Sequence, residues 1–204
     1  MPDTDALFII VRHGNTFEAG EPARRVGART DLALTLRGAE QAEALGAHFA
    51  ALGMRFGRIL VSPLQRTRQT ADAIIAAQVD RVVPEKAEFL REIDHGPDEN
   101  QTEDVVLARI GAEALAAWDR DATPPPDWSV DADARIAAWR ELFAGALPGQ
   151  PPTLLVTSNG AARFALMAAG VAPGDGLKLA TGSYGVVHKA ADGTFAVAQW
   201  SIRP

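Results

Sequence analysis

Cysteine is absent from this chain of 204 residues. That excludes disulfides, thiolate zinc sites and any cysteine nucleophile. Lysine is nearly absent: Lys86, Lys178 and Lys189 are three of the twenty basic residues, and the rest are arginine. Positive charge is in deficit overall, with a formal net charge of −6, which argues against a broad nucleic-acid-binding face. The acidic start Met1–Asp5 is followed by an apolar run too short for a signal-peptide core or a membrane span. Repeats and low-complexity tracts are missing, and the proline-rich stretches are too short to part domains. These absences leave a soluble, cytoplasmic protein with no membrane or nucleic-acid partner, folded as one domain over 1–204.

Strand-like and helical patterns alternate along the chain, which predicts βαβ units around a mostly parallel sheet. Leu7–Val11 reads as a buried strand. Thr35 caps a helix to about Leu52, buried through Ala39, Ala42, Leu45, Ala47 and Phe49. Arg58–Val61 is the next strand. Ser62 reads as the cap of a following helix, with Pro63 in its first turn and Gln65 completing a capping box. A polar irregular stretch spans 89–102, and Thr102–Asp104 opens another helix. A proline break at 124–126 ends it, and Ser129 or Asp131 starts the next. Thr153–Thr157 is a further buried strand, 160–170 is helical, and 185–202 forms a hairpin.

Arg12-His13-Gly14-Asn15-Thr16 follows the first strand directly, at the edge where open α/β sheets bind ligands. Arginine offers a planar donor fork suited to phosphate. Imidazole is nucleophilic when neutral near pH 7. Together they point to a histidine that attacks phosphorus. Three further blocks follow: Asp31-Leu32-Ala33-Leu34-Thr35 with Gly38 and Gln41; Ser62-Pro63-Leu64 with Arg66, Gln69 and Thr70; and Leu90-Arg91-Glu92-Ile93-Asp94 with Gly96. In this order the four blocks resemble those of the histidine phosphatase superfamily, the phosphoglycerate-mutase-like proteins.

That resemblance implies a three-layer α/β/α sandwich with a mostly parallel central sheet and an insert or lid at about 93–128. It implies His13 as nucleophile and Glu92 as general acid, then as the base that activates water. Arg12, Thr16, Arg66, Asn159 and Gly160 become the phosphate-binding set. No cofactor or metal is needed, and Asp94, His95, Asp98 and Glu99 are too irregularly spaced to read as a metal site. The partner implied is a small phosphorylated metabolite.

Two positions depart from the family pattern. Asn159 stands where a second active-site histidine is usual, and an amide donates hydrogen bonds but carries no charge. Ala19 stands where a phosphate-contacting asparagine is common. Asn15, His95 or an arginine among Arg24, Arg25 and Arg29 are the candidates to compensate. The leading expectation is a metal-independent phosphatase working through a phosphohistidine. A phosphoglycerate-type phosphomutase, or a weakened member that binds phosphorylated ligands or proteins, is the alternative.

Overall fold

The computed structural model describes residues 5–171 and 176–204, so the stretch 1–4 at the acidic start lies outside the described residues. Six strands form one sheet: β1 (Ala6–Arg12), β2 (Arg58–Val61), β3 (Glu85–Lys86), β4 (Thr153–Thr157), β5 (Tyr184–Lys189) and β6 (Phe195–Ile202). Their order is β3-β2-β4-β1-β5-β6. Pairings among β1 to β4 are parallel, whereas β5 runs antiparallel to both β1 and β6. The fold is α/β.

Alternation along the buried strands builds two cores, because successive side chains leave a strand on opposite faces. Phe8, Ile10, Leu60 and Leu155 join the cluster containing Trp139, Phe143 and Phe164. Two of those aromatics belong to α4 (Ala132–Gly145), and Phe164 belongs to α5 (Asn159–Ala169). Ile9, Val11, Ile59, Val61, Leu154 and Val156 point the other way, to Leu45, Phe49 and Ile74. Those three lie on α1 (Leu36–Ala51) and α2 (Gln65–Ala76). Helices therefore cover both sheet faces. The remaining helix, α3 (Glu103–Asp121), kinks at Gly111, where φ is 81°. Among the described residues, no helix is long and apolar enough to cross a membrane.

Thr35 caps α1 as expected, its side chain accepting from the Gly38 N–H at 3.1 Å. The buried stripe differs at two positions: Ala39 is half-buried and Ala47 exposed, and Gly38 and Gly46 are buried beside Ala42, Leu45 and Phe49. Glycine at 38 lets α1 approach the loop after β1, since a Cβ there would overlap the Asn15 carbonyl. Small residues thus set the packing distance, which apolar periodicity alone does not reveal.

The start of α2 also differs. Ser62 does not cap it: its Oγ accepts from Leu64 N within a turn at 3.4 Å, and the helix begins at Gln65. The Gln65 N–H goes instead to Asp31 Oδ1 at 2.6 Å, thirty-four residues away. A distant carboxylate satisfies the helix end, so local capping-box chemistry misplaces it. Strand β3, with only two residues, carries too little pattern to be read from sequence.

Candidate active site

The carboxyl ends of β1 and β4 open into a cavity of about 820 Å³, a size suited to a small metabolite. Its lining includes Arg12, His13, Thr16, Glu92, Asn159 and Gly160, drawn from three separate stretches of chain. His13 leaves β1 with its N–H bonded to Thr157 O at the end of β4, 3.1 Å away. The nucleophile candidate is thereby fixed to the rigid centre of the sheet.

The bonds of His13 define its tautomer. Nδ1 lies 2.7 Å from the Gly14 carbonyl oxygen and must carry the proton. Arg66 Nε donates to the other nitrogen, Nε2, at 3.1 Å. An acceptor at Nε2 means a neutral ring with its lone pair on that atom. Burial, then the charges of Arg66 and Arg12, hold the His13 imidazolium well below the usual histidine range. The ring is thus kept in its nucleophilic form.

Arg66 is 0% exposed and meets the site through its bond to His13 Nε2. Its Nη1 donates to Thr30 O at 2.8 Å and its Nη2 to Gly27 O at 3.3 Å. The guanidinium therefore orients His13 and pins the 27–30 loop as well as supplying charge. Arg12 is half-buried. Burial is the main cause that lowers it to about 10, with Arg66 and Arg203 acting in the same direction and Glu92 opposing them. It remains a cation at any physiological pH. Its Nη1 donates to Leu179 O at 2.9 Å, while its buried Nε has no partner.

Glu92 packs against the first turn of α5. Its Oε2 accepts from the Gly160 N–H at 3.1 Å and its Oε1 from the Ile93 N–H at 2.9 Å. A helix N-terminus favours such a carboxylate through its free amides and dipole. Residue 160 must be glycine for this contact, because a Cβ there would overlap Glu92 Oε1. Gly160→Ala is therefore expected to destabilise the fold by about 1–3 kcal/mol as the carboxylate is displaced. Urea melts check this, and an unchanged midpoint would mean that Glu92 is not seated there.

Asn159 has one defined role in the free protein. Its Oδ1 accepts from the Leu179 N–H at 2.9 Å. That bond fixes the amide orientation and leaves the NH₂ for the cavity that Asn159 lines. Thr16 lines the same wall, whereas Ala19 is exposed and outside it.

The compensation candidates fare differently. Asn15 reaches the cavity. Arg24 and Arg25 do too, but Arg24 pairs with Glu21 at 3.1 Å and Arg25 with Glu103 at 2.7 Å. Arg29 turns away to Asp94 at 3.0 Å. His95 is on the wall, edge-on to the Trp128 ring, with Nδ1 3.6 Å from Glu99. Burial alone would raise the Glu99 carboxyl, yet hydrogen bonds from His95 and Thr30 outweigh it and hold it at about 2. Sequence reasoning missed Phe17, Trp118, Asp119, Lys178, Thr181 and Arg203, which also line the cavity. Their wide separation along the chain left no local signal.

Comparison with known proteins shows the family and the fold. A 2,3-bisphosphoglycerate-dependent phosphoglycerate mutase of Rhizobium etli is 30% identical over 161 residues, 76% of this chain and 75% of its own length. The solved structure called mycobacterial hydrolase 1 superposes with a TM-score of 0.81 at 20% identity, covering 98% of this chain and all of that one. Mycobacterial glucosyl-3-phosphoglycerate phosphatase superposes with a TM-score of 0.77 at 22% identity, covering 97% and 99% of the two chains. At that identity the two structures speak for the fold. The family model for branch 1 of the histidine phosphatase superfamily matches residues 8–202, almost the whole chain, and the protein belongs to that superfamily.

Proposed function

We propose that the protein hydrolyses the phosphomonoester of a small metabolite through a phosphohistidine on His13, without a metal ion. One observation carries the reading. His13 is a neutral imidazole with its lone pair on Nε2, fixed on a cavity wall shared with Arg12, Asn159 and Glu92.

In the first step, Nε2 attacks phosphorus and the P–O bond to the leaving alcohol breaks. Glu92, protonated, gives its proton to the departing oxygen. The arriving phosphoryl group displaces the Arg66 Nε contact, which then faces an equatorial oxygen. Arg12 and the Asn159 amide serve the other oxygens, where charge spreads in the transition state. In the second step, the Glu92 carboxylate takes a proton from water, the hydroxide oxygen bonds to phosphorus, and the P–N bond breaks. Phosphate leaves, and Glu92 is protonated again for the next cycle.

The Rhizobium etli relative supports a second reading, a phosphomutase that returns the phosphoryl group to a hydroxyl of substrate. A mutase must shield the phosphohistidine from water. The roomy cavity and the uncharged amide at 159 favour hydrolysis. A panel of phosphomonoesters, 3-phosphoglycerate included, separates the two when assayed with chelator for free phosphate and for isomerisation. Chelator-resistant phosphate release is the expected result. Isomerisation without release would establish the mutase, and neither product would leave a ligand-binding protein.

A further inference from the structure

We propose that Arg203 supplies the positive charge that Asn159 lacks, making it a phosphate-facing residue of the site. The inference rests on the phosphoryl-transfer reading above. Arg203 lies on the same cavity wall as Arg12 and Asn159. Its backbone is brought there by an irregular end to β6. The register between β5 and β6 shifts twice, and Ser201 adopts a left-handed backbone at φ 61°. Such a conformation in a residue with a Cβ costs energy and marks a place where the chain is held to a purpose.

What holds it is a short loop that the phosphate site also grips. Ser201 Oγ accepts from the Ala180 N–H at 2.9 Å, and Arg203 Nε donates to Thr181 O at 3.2 Å. One residue earlier, Leu179 donates its N–H to Asn159, and its carbonyl accepts from Arg12. Three consecutive residues thus join the β6 end to both phosphate ligands. The Nε bond spends one donor of the guanidinium and leaves its Nη groups for an anion. Arg203 lies near enough to Arg12 that its charge helps to lower Arg12, after burial and Arg66. Among the described residues, no carboxylate pairs with Arg203.

The other basic residues on the wall are less suited. Arg24 and Arg25 are spent on Glu21 and Glu103, and His95 faces Glu99. Lys178 is exposed, and its ammonium is held by none of the hydrogen bonds among the described residues. A flexible lysine loses rotamer entropy to reach an anion, whereas Arg203 is already anchored.

The test uses phenyl phosphate, whose one charged group is the phosphoryl, with orthovanadate binding as a second readout. Arg203→Gln is expected to lower kcat/KM about 10- to 100-fold. That is less than the loss of a fully enclosed oxyanion donor, because solvent screens an exposed arginine. Vanadate affinity should fall in parallel. Arg203→Lys, which keeps charge but loses the planar fork, should retain most of both. Adding Asn159→His to Arg203→Gln should restore activity by more than the same change adds to the unaltered protein.

Activity and vanadate affinity of Arg203→Gln within twofold of the parent would overturn the proposal. Equal losses in Arg203→Lys and Arg203→Gln would do the same, reducing the residue to a loop latch. So would a loss that follows His95→Phe or Lys178→Met instead. If the parent binds vanadate but releases no phosphate, the hydrolytic reading falls, and vanadate affinity still decides Arg203. If it binds no vanadate, both readings fall.

Discussion

A His13→Ala variant is expected to release phosphate at least about 10⁴-fold more slowly than the parent, at the limit of detection. No neighbouring group can take over. Arg12 and Arg66 are cations without lone pairs, and the Ile93 and Gly160 N–H groups hold the Glu92 carboxylate in its proton-transfer position. Acid quenching destroys phosphohistidine, so the intermediate should be sought under alkaline conditions, present in the parent and absent in the variant. Residual turnover of more than a few per cent would exclude His13 as the nucleophile.

The same variant has a second signature, in stability. The His13 ring is held below its ordinary value of 6.5 in the folded protein by burial and by the two arginines. The unfolded chain therefore binds a proton that the folded chain refuses. Its penalty is absent above pH 6.5 and grows as the pH falls from 6.5 toward the folded value. Melting temperatures of the parent should drop over that window, and those of His13→Ala should drop less. The acid limb of kcat/KM belongs well below pH 6.5 for the same reason. A limb at or above 6.5 would contradict the neutral-nucleophile assignment.

Glu92→Gln is expected to lower kcat about 10²- to 10⁴-fold on an alkyl phosphate, whose alkoxide needs a proton to leave. On 4-nitrophenyl phosphate the first step should suffer much less, because nitrophenolate departs unaided. The second step still lacks its base. A burst of nitrophenol close to one equivalent per protein, followed by a slow phase, is therefore predicted. Equal losses on both esters without a burst would assign Glu92 a positioning role only. Glutamine cannot accept both the Gly160 and Ile93 N–H groups as a carboxylate does, so one bond weakens, at about 1–3 kcal/mol. Thermal melts separate that structural cost from the chemical one.

Much of this architecture is carried by residue order alone. The unbroken apolar runs Leu7–Val11 and Leu154–Val156 predict strands buried on both faces, and Phe8–Val11 and Leu154–Val156 enter the two cores by turns. Thr35 caps α1 because the cap needs only its own residue and one three positions on. The Arg12–Thr16 pentapeptide and the block around Glu92 identify the superfamily because their residue types are unusual together. Local patterns are legible wherever the physics that acts on them is local.

Tertiary structure decided the rest. The start of α2 is set by Asp31, far away in sequence, and not by Ser62 nearby. Arg66, read as a phosphate ligand, is found to donate to His13 Nε2 as well, fixing its tautomer. Asn159, a substitution in a motif when read in sequence, is in space the acceptor that holds Leu179 and so the loop beside Arg203. Strand parity and end-capping follow from bonds a few residues long. Which buried charges share a cavity depends on loop approach and strand register, and these are fixed only once the whole sheet has closed.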